Sequence, residues 1–344
     1  MSGRTLAALA LLTVLAVAAA WYVRQPVPEP AADTAGDHFM PGLADRLPSV
    51  TGVRARIAGG KLLADVVRDG DIWRVRNRDG YPADPGTLRG TLIALSEARR
   101  QDAKTDRPEG WDRLGLQPIE EADAGGVELT LEGLDPAPRV IIGETAGADT
   151  GGTYLRRLDG DDGRAWLVSE RIERPAEIGD WLDDRLTEIP IQRMRSVEIV
   201  ARDGEPVRVA REQPRSRNFE IANRPEGRRP LSNSIARSVV RIVSDLRLTD
   251  VHPAPAVDLP PRLAEARFET LDGLRIVIEA FAAERGTGPR YIRLRAEAAA
   301  GSGDPVRQQV DTLNARFDGW LYAIPEYKFV NMTHTLESVL EDPR

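Results

Sequence analysis

Seven landmarks occur in this chain twice and in the same order, which confines the fold to two like units laid end to end. The first series opens with an apolar strand at residues 53–57 and an alternating run, Ile72-Trp73-Arg74-Val75. A turn signal at residues 77–82 follows. Asp84 then stands as an N-cap before Pro85, with Leu88, Leu92 and Leu95 at helical spacing. Short strands at residues 127–131, 140–142, 153–158 and 165–168 come next, separated by Gly and Asp turns. The second series has a strand at residues 197–200, Phe219 in the place of Trp73, and a stripe of Ile235, Val239, Ile242 and Leu246. Leu271-Asp272-Gly273-Leu274 then echoes Leu131-Glu132-Gly133-Leu134, and a strand at residues 276–278 matches the one at 140–142. Tyr291-Ile292-Arg293-Leu294 echoes Tyr154-Leu155-Arg156-Arg157, 137 residues earlier, and Trp320 echoes Trp166, 154 residues earlier.

A second feature is the charge-free stretch from Leu6 to Val23, whose 18 residues reach the short end of what crosses a bilayer core. Arg4 before it and Trp21-Tyr22 at its far end suit a span with a cytoplasmic N-terminus. The competing reading is a cleaved signal peptide, for which Ala18, Ala19 and Ala20 supply small residues. Residues 25–48 carry Pro26, Pro28, Pro30, Pro41 and Pro48 without an apolar period and read as a tether, with His38 solvated in it.

The expected architecture is therefore α+β: an N-terminal transmembrane helix followed by two tandem duplicated β-α-β meander modules with mainly antiparallel sheets. The divisions fall at 1–24 (cytoplasmic N-terminus and anchor), 25–48 (tether), 49–171 (first module), 172–190 (connector with Trp181, Leu182 and Leu186) and 191–344 (second module). Whether the modules leave a groove or pack tightly is open at this level.

Composition excludes several chemistries. There is no cysteine, which removes disulfides, thiolate metal sites, lipoprotein attachment and a cysteine nucleophile. The net charge is −7, from 47 basic and 54 acidic residues; without Arg4 and Arg24 the balance is 45 − 54 = −9, which does not draw in nucleic acid. His252 and His334 stand apart and outside any paired-ligand pattern. No G-x-S-x-G elbow occurs, and Ser232, Ser234 and Ser238 sit at or in a helix where capping and surface roles suffice. The glycine-rich segment at residues 143–152 lacks the Lys-Ser/Thr of a phosphate loop and lies between strands, so it reads as a hairpin loop. Asp159, Asp161 and Asp162 lack the glutamate of a calcium loop. The arginines at 211, 215, 217, 224, 228 and 229 alternate with Glu212, Glu220 and Glu226, the pattern of a solvated loop.

Tyr81-Pro82-Ala83-Asp84, Leu114-Gly115-Leu116, Gly151-Gly152-Thr153-Tyr154, Trp181-Leu182 and Ile324-Pro325-Glu326-Tyr327-Lys328-Phe329 together resemble domain-of-unknown-function family 4340, over most of residues 53–340. The resemblance implies a single-pass envelope protein often encoded beside ABC-2-type permeases and gliding-motility-type auxiliary components, with no established activity and no catalytic residues to carry over. The expected function is a non-enzymatic accessory subunit of an ABC-type envelope transport complex at the inner membrane, with its body extracytoplasmic. Membrane lipid along Leu6 to Val23, a permease and an auxiliary envelope subunit are its expected partners, with neither cofactor nor metal. The alternative is a glycan- or ligand-binding module. Candidate contacts for either are Gly151, Gly152, Tyr154, Trp166, Trp320, Tyr322, Tyr327 and Phe329. The aromatics at 320–329 otherwise read as a closing strand and turn, with Pro325 stopping regular structure.

Overall fold

The computed structural model describes residues 36–147, 151–159, 163–211, 213, 216, 218–282 and 289–342. Its first sheet is built from β1 (Gly52–Ile57), β2 (Lys61–Asp69), β3 (Ile72–Val75), β4 (Tyr81–Pro82), β5 (Arg100–Ala103), β6 (Val127–Glu132), β7 (Arg139–Thr145), β8 (Thr153–Arg157) and β9 (Ala165–Val168). The strands lie in the order β4-β3-β2-β1-β6-β7-β8-β9-β5. There follow β10 (Arg185–Thr187), β11 (Met194–Ala201), β12 (Val207–Arg211), β13 (Phe219–Ile221), β14 (Leu246–Arg247), β15 (Asp250–Pro253), β16 (Arg262–Thr270), β17 (Leu274–Phe281), β18 (Tyr291–Ala298) and β19 (Trp320–Ala323). β10 and β14 pair with each other, and the rest form an eight-stranded sheet in the order β13-β12-β11-β16-β17-β18-β19-β15. Neighbouring strands are antiparallel in both sheets. Strand for strand, the second order is the first without a counterpart of β4.

This architecture corrects the expected α+β class. The protein consists mostly of antiparallel sheet with a few short helices, and among the described residues no helix is long and apolar enough to cross a membrane. The stretch from Leu6 to Val23, expected to be a transmembrane helix, lies outside the described residues. The stripe from Ile235 to Leu246 is α-helical only over Ile235–Val240; a 3-10 turn at Arg241–Ser244 follows, and Leu246 belongs to β14. β-branched side chains at 239, 240, 242 and 243 crowd a helix and suit extended backbone. The longest helix among the described residues, Asp304–Phe317, was not anticipated, although Pro305 opens it and Val306, Val310, Leu313 and Phe317 share its inward stripe.

The tether also ends sooner than expected. Phe39, Met40 and Leu43 are core residues, a short helix runs over Leu43–Arg46, and Phe39 N–H donates to the Ala98 carbonyl at 2.7 Å. His38 is not a solvated tether residue: it bridges Arg99 beside β5, and its Nδ1 is buried.

One continuous apolar core runs beneath both sheets. Over the outer face of the first sheet, Trp111 and Leu116 from the β5–β6 connection pack on Ile141 and Ala165. The backbones touch there: a Cβ on Gly143 would stand 2.1 Å from the Leu114 carbonyl oxygen. The Leu114-Gly115-Leu116 motif is thus a packing device.

Candidate interaction surfaces

The sheets meet at an aromatic and ionic junction rather than across an open groove. Tyr81, at the edge of the first sheet, makes edge-on contacts with Trp320 (5.1 Å between ring centroids) and Tyr322 (6.3 Å) in β19. Arg78 grips Asp250 in β15 through two hydrogen bonds of 2.5 and 3.1 Å. Arg316, near the end of the Asp304–Phe317 helix, pairs with Asp183 of the connector. Tyr81 O–H donates to the Asp183 carbonyl (3.3 Å) and Tyr322 O–H to the Arg316 carbonyl (2.9 Å). Burial pushes the Tyr81 phenol up to about 12 and raises that of Tyr322 further.

The eight candidate contact residues do not converge. Trp166 is buried in β9 with the Arg100 guanidinium 4.9 Å from its ring, and Trp320 and Tyr322 belong to the junction. Tyr154 packs on the Trp111 cluster. Gly152 has φ +82°, and a Cβ there would lie 2.0 Å from the Val168 carbonyl oxygen, so it serves close backbone approach. Gly151 faces solvent, while residues 148–150 of the same loop lie outside the described residues, as do 160–162 of the Asp-rich turn and Arg215 and Arg217 of the basic cluster. Trp166 and Tyr322 are thus buried, and Tyr154 and Trp320 are half-buried against the protein itself.

The remaining two candidates lie on a short helix, Glu326–Asn331, where the sequence suggested no regular structure. Pro325 does not stop structure here; it ends the extended run after β19 and precedes the helix, which needs no N–H from that position. Lys328 and Phe329 point inward. The Lys328 ammonium donates to the Ile242 carbonyl at 3.2 Å and to the Asp245 carbonyl, satisfying groups left bare where the Ile235–Val240 helix and its 3-10 extension end. Burial lowers its pKa, opposed by the charge of Asp245. Phe329 enters the core, and Arg290 stands 5.7 Å from its ring while pairing with Glu326 at 2.6 Å. Three residues apart on the outer side, Tyr327 and Val330 remain 64% and 45% exposed.

Clefts also open among the described residues. One of about 430 Å³ lies over Gly86, Thr87, Gly90 and Ala94 of the Pro85–Glu97 helix, walled by Arg171 and Arg174. Another of about 340 Å³ adjoins Asp84, Asp180, Asp184 and Arg247. Its acids are engaged: Asp84 accepts from Gly86 and Thr87 N–H, Asp180 from Glu177 N–H, and Asp184 pairs with Arg247. The third, about 570 Å³, is the open face of the second sheet, where Arg208, Arg267, Arg275 and Arg295 each meet Glu198, Glu269 or Glu297. Among the described residues no group of three His, Asp or Glu is placed to hold a metal ion.

The family model for Domain of unknown function (DUF4340) matches residues 73–264, more than half of the chain. The chain belongs to this family. No curated protein and no solved structure matches it. The DUF4340 match begins in β3 and ends in β16, so it takes in Arg78, Tyr81, Trp181, Asp183 and Asp250 on the connector and junction. Lys328 and the apolar pair on its helix lie beyond the DUF4340 match. Sequence reasoning missed the role of Lys328, whose only signal was a lone cation between two aromatics.

Proposed function

We propose that this DUF4340 protein is a non-enzymatic accessory subunit of a bacterial ABC-type envelope transport complex, acting on the extracytoplasmic side by protein contact. The observation that carries the reading is the Glu326–Asn331 helix: Lys328 and Phe329 pin it to the second sheet while Tyr327 and Val330 are held out to solvent. A fixed helix with an outward apolar pair suits a docking element, because little conformational entropy is lost when a partner covers it. The junction supports the same reading by joining both sheets into one scaffold behind that helix. The transport setting comes from the resemblance that the motifs carry.

The test places a photo-crosslinking amino acid at Tyr327 in the native cell and identifies the attached proteins by mass spectrometry. A permease or an auxiliary envelope component, lost again in Val330→Asp, is the expected product. Adducts that are absent, or indifferent to Val330→Asp, would refute docking through this helix.

A further inference from the structure

The apolar pair on the Glu326–Asn331 helix has a charged flank. Lys328 of that helix donates to the Ile242 carbonyl at 3.2 Å, and Ile242 follows Arg241, the first residue of the 3-10 turn that extends the Ile235–Val240 helix. Burial lowers the Lys328 pKa and the Arg241 charge lowers it further, as two neighbouring cations require. Arg237 lies four residues before Arg241, so the two side chains leave the same side of the helical run, and both are exposed. Ala236, Val239 and Val240 turn the other way, into the core.

Neither arginine meets a carboxylate among the described residues, unlike those on the open face of the second sheet. The acids beside this flank are already held. Arg247 pairs with Asp184 (3.0 Å) and Asp245 (2.9 Å), Arg290 with Glu326 (2.6 Å) and Arg228 with Glu337 (3.0 Å). Arg237 and Arg241 are thus like charges one helical turn apart, and they repel with no offset from the chain itself. Next to them Tyr327 and Val330 stand uncovered. A surface that matches both features brings apolar side chains to the pair and carboxylates to the arginines. A bilayer is a poorer match, because interfacial binding depends on buried apolar area and a six-residue helix with two outward apolar side chains supplies little.

We propose that the partner protein of the Glu326–Asn331 helix covers Tyr327 and Val330 with an apolar patch and sets carboxylates at its rim against Arg237 and Arg241. This rests on the docking role of that helix and adds the chemistry of the face that meets it.

The test uses the full chain in freshly broken native cells. Arg241→Lys keeps the charge and supplies a primary amine, which a water-soluble carbodiimide joins to a touching carboxylate as an amide, the carbodiimide taking up the water. The expected product joins this variant to the same protein that a photo-crosslinking amino acid at position 327 captures, and it is absent from the parent chain. Arg237→Glu combined with Arg241→Glu should cut capture at position 327 by about tenfold, since carboxylates then face carboxylates, with the melting temperature retained. Arg113→Glu, exposed on the β5–β6 connection, should leave capture unchanged. Full capture by the charge-reversed variant, or amides formed only within the chain, as to Asp245, would overturn the proposal and leave the docking role standing. No capture by the parent, or lipid in place of protein at position 327, would overturn both.

Discussion

Arg78 and Asp250, 172 positions apart in the chain, close a two-pronged ion pair across the seam between the sheets. Both side chains are about three-quarters buried. A charge-assisted pair in such a setting contributes about 1.5–3 kcal/mol, and removing one partner leaves the other poorly solvated. Arg78→Ala and Asp250→Ala should each lower stability by about that amount in urea unfolding. The double variant should cost less than the two singles combined, by about 1–2 kcal/mol of coupling. Strict additivity would mean that the seam does not depend on this pair.

The two junction tyrosines make the protein sensitive to alkali. With the Tyr81 phenol at about 12 in the fold against an ordinary 10.0, the unfolded chain releases its proton first as pH rises. Its contribution is therefore intact below pH 10 and is lost as pH climbs toward 12, and Tyr322 acts in the same direction. Melting temperature should fall steeply across that interval. Tyr81→Phe, which also forgoes the weak bond to the Asp183 carbonyl, should start about 0.5–1 kcal/mol lower but show a shallower alkaline slope. An unchanged slope would show that the Tyr81 phenol is not held neutral by the junction.

Gly151 and Gly152 are neighbours in one loop with different duties. A Cβ on Gly152 would meet the Val168 carbonyl oxygen at 2.0 Å, whereas one on Gly151 meets nothing within 4 Å. Both have positive φ, so alanine at either position bears about 1–2 kcal/mol of backbone cost. Gly152→Ala adds a collision between β8 and β9 and should exceed about 3 kcal/mol or prevent folding, while Gly151→Ala stays near the backbone cost alone. Equal losses in thermal unfolding would show that close packing is not what requires Gly152.

Strands were the most legible part of this fold, because period-two apolar runs bounded by Gly and Asp turns leave little alternative. The register equivalence of Trp73 and Phe219 follows from that pattern, and so does the turn at Gly133 and Gly273, both at φ near +90°. Helices were harder to read. The stripe Ile235, Val239, Ile242 and Leu246 has helical spacing, yet Asp245 leaves helical geometry at φ −157° and Leu246 goes to β14. Asp304–Phe317 was hidden by its many polar residues, although Val306, Val310, Leu313 and Phe317 trace its buried side. Among the candidate contacts, burial separated residues that sequence treats alike. Trp166 and Tyr322 are core while Tyr327 is exposed, and the sorting is done by partners far along the chain, such as Arg100 for Trp166 and Tyr81 for Tyr322. Lys328 reads as a surface cation until the carbonyls of Ile242 and Asp245, more than 80 positions away, are placed beside it.

That cation also decides whether the exposed face of its helix can work. Lys328→Met keeps most of the stem and deletes two donated hydrogen bonds, leaving buried carbonyls bare at a cost of about 2–4 kcal/mol. Tyr327→Ala and Val330→Asp alter only the outward side and should stay within about 0.5 kcal/mol of the parent. Hydrogen exchange across Glu326–Asn331 should quicken in Lys328→Met and hold steady in the two outward variants. Partner crosslinking, with the photo-crosslinker moved to the exposed neighbouring position 326, should fail in all three. Because it fails for different reasons, the comparison separates contact from support: intact exchange with lost crosslinking marks Tyr327 and Val330 as contact residues, whereas quickened exchange in their variants would make them structural and refute the docking role.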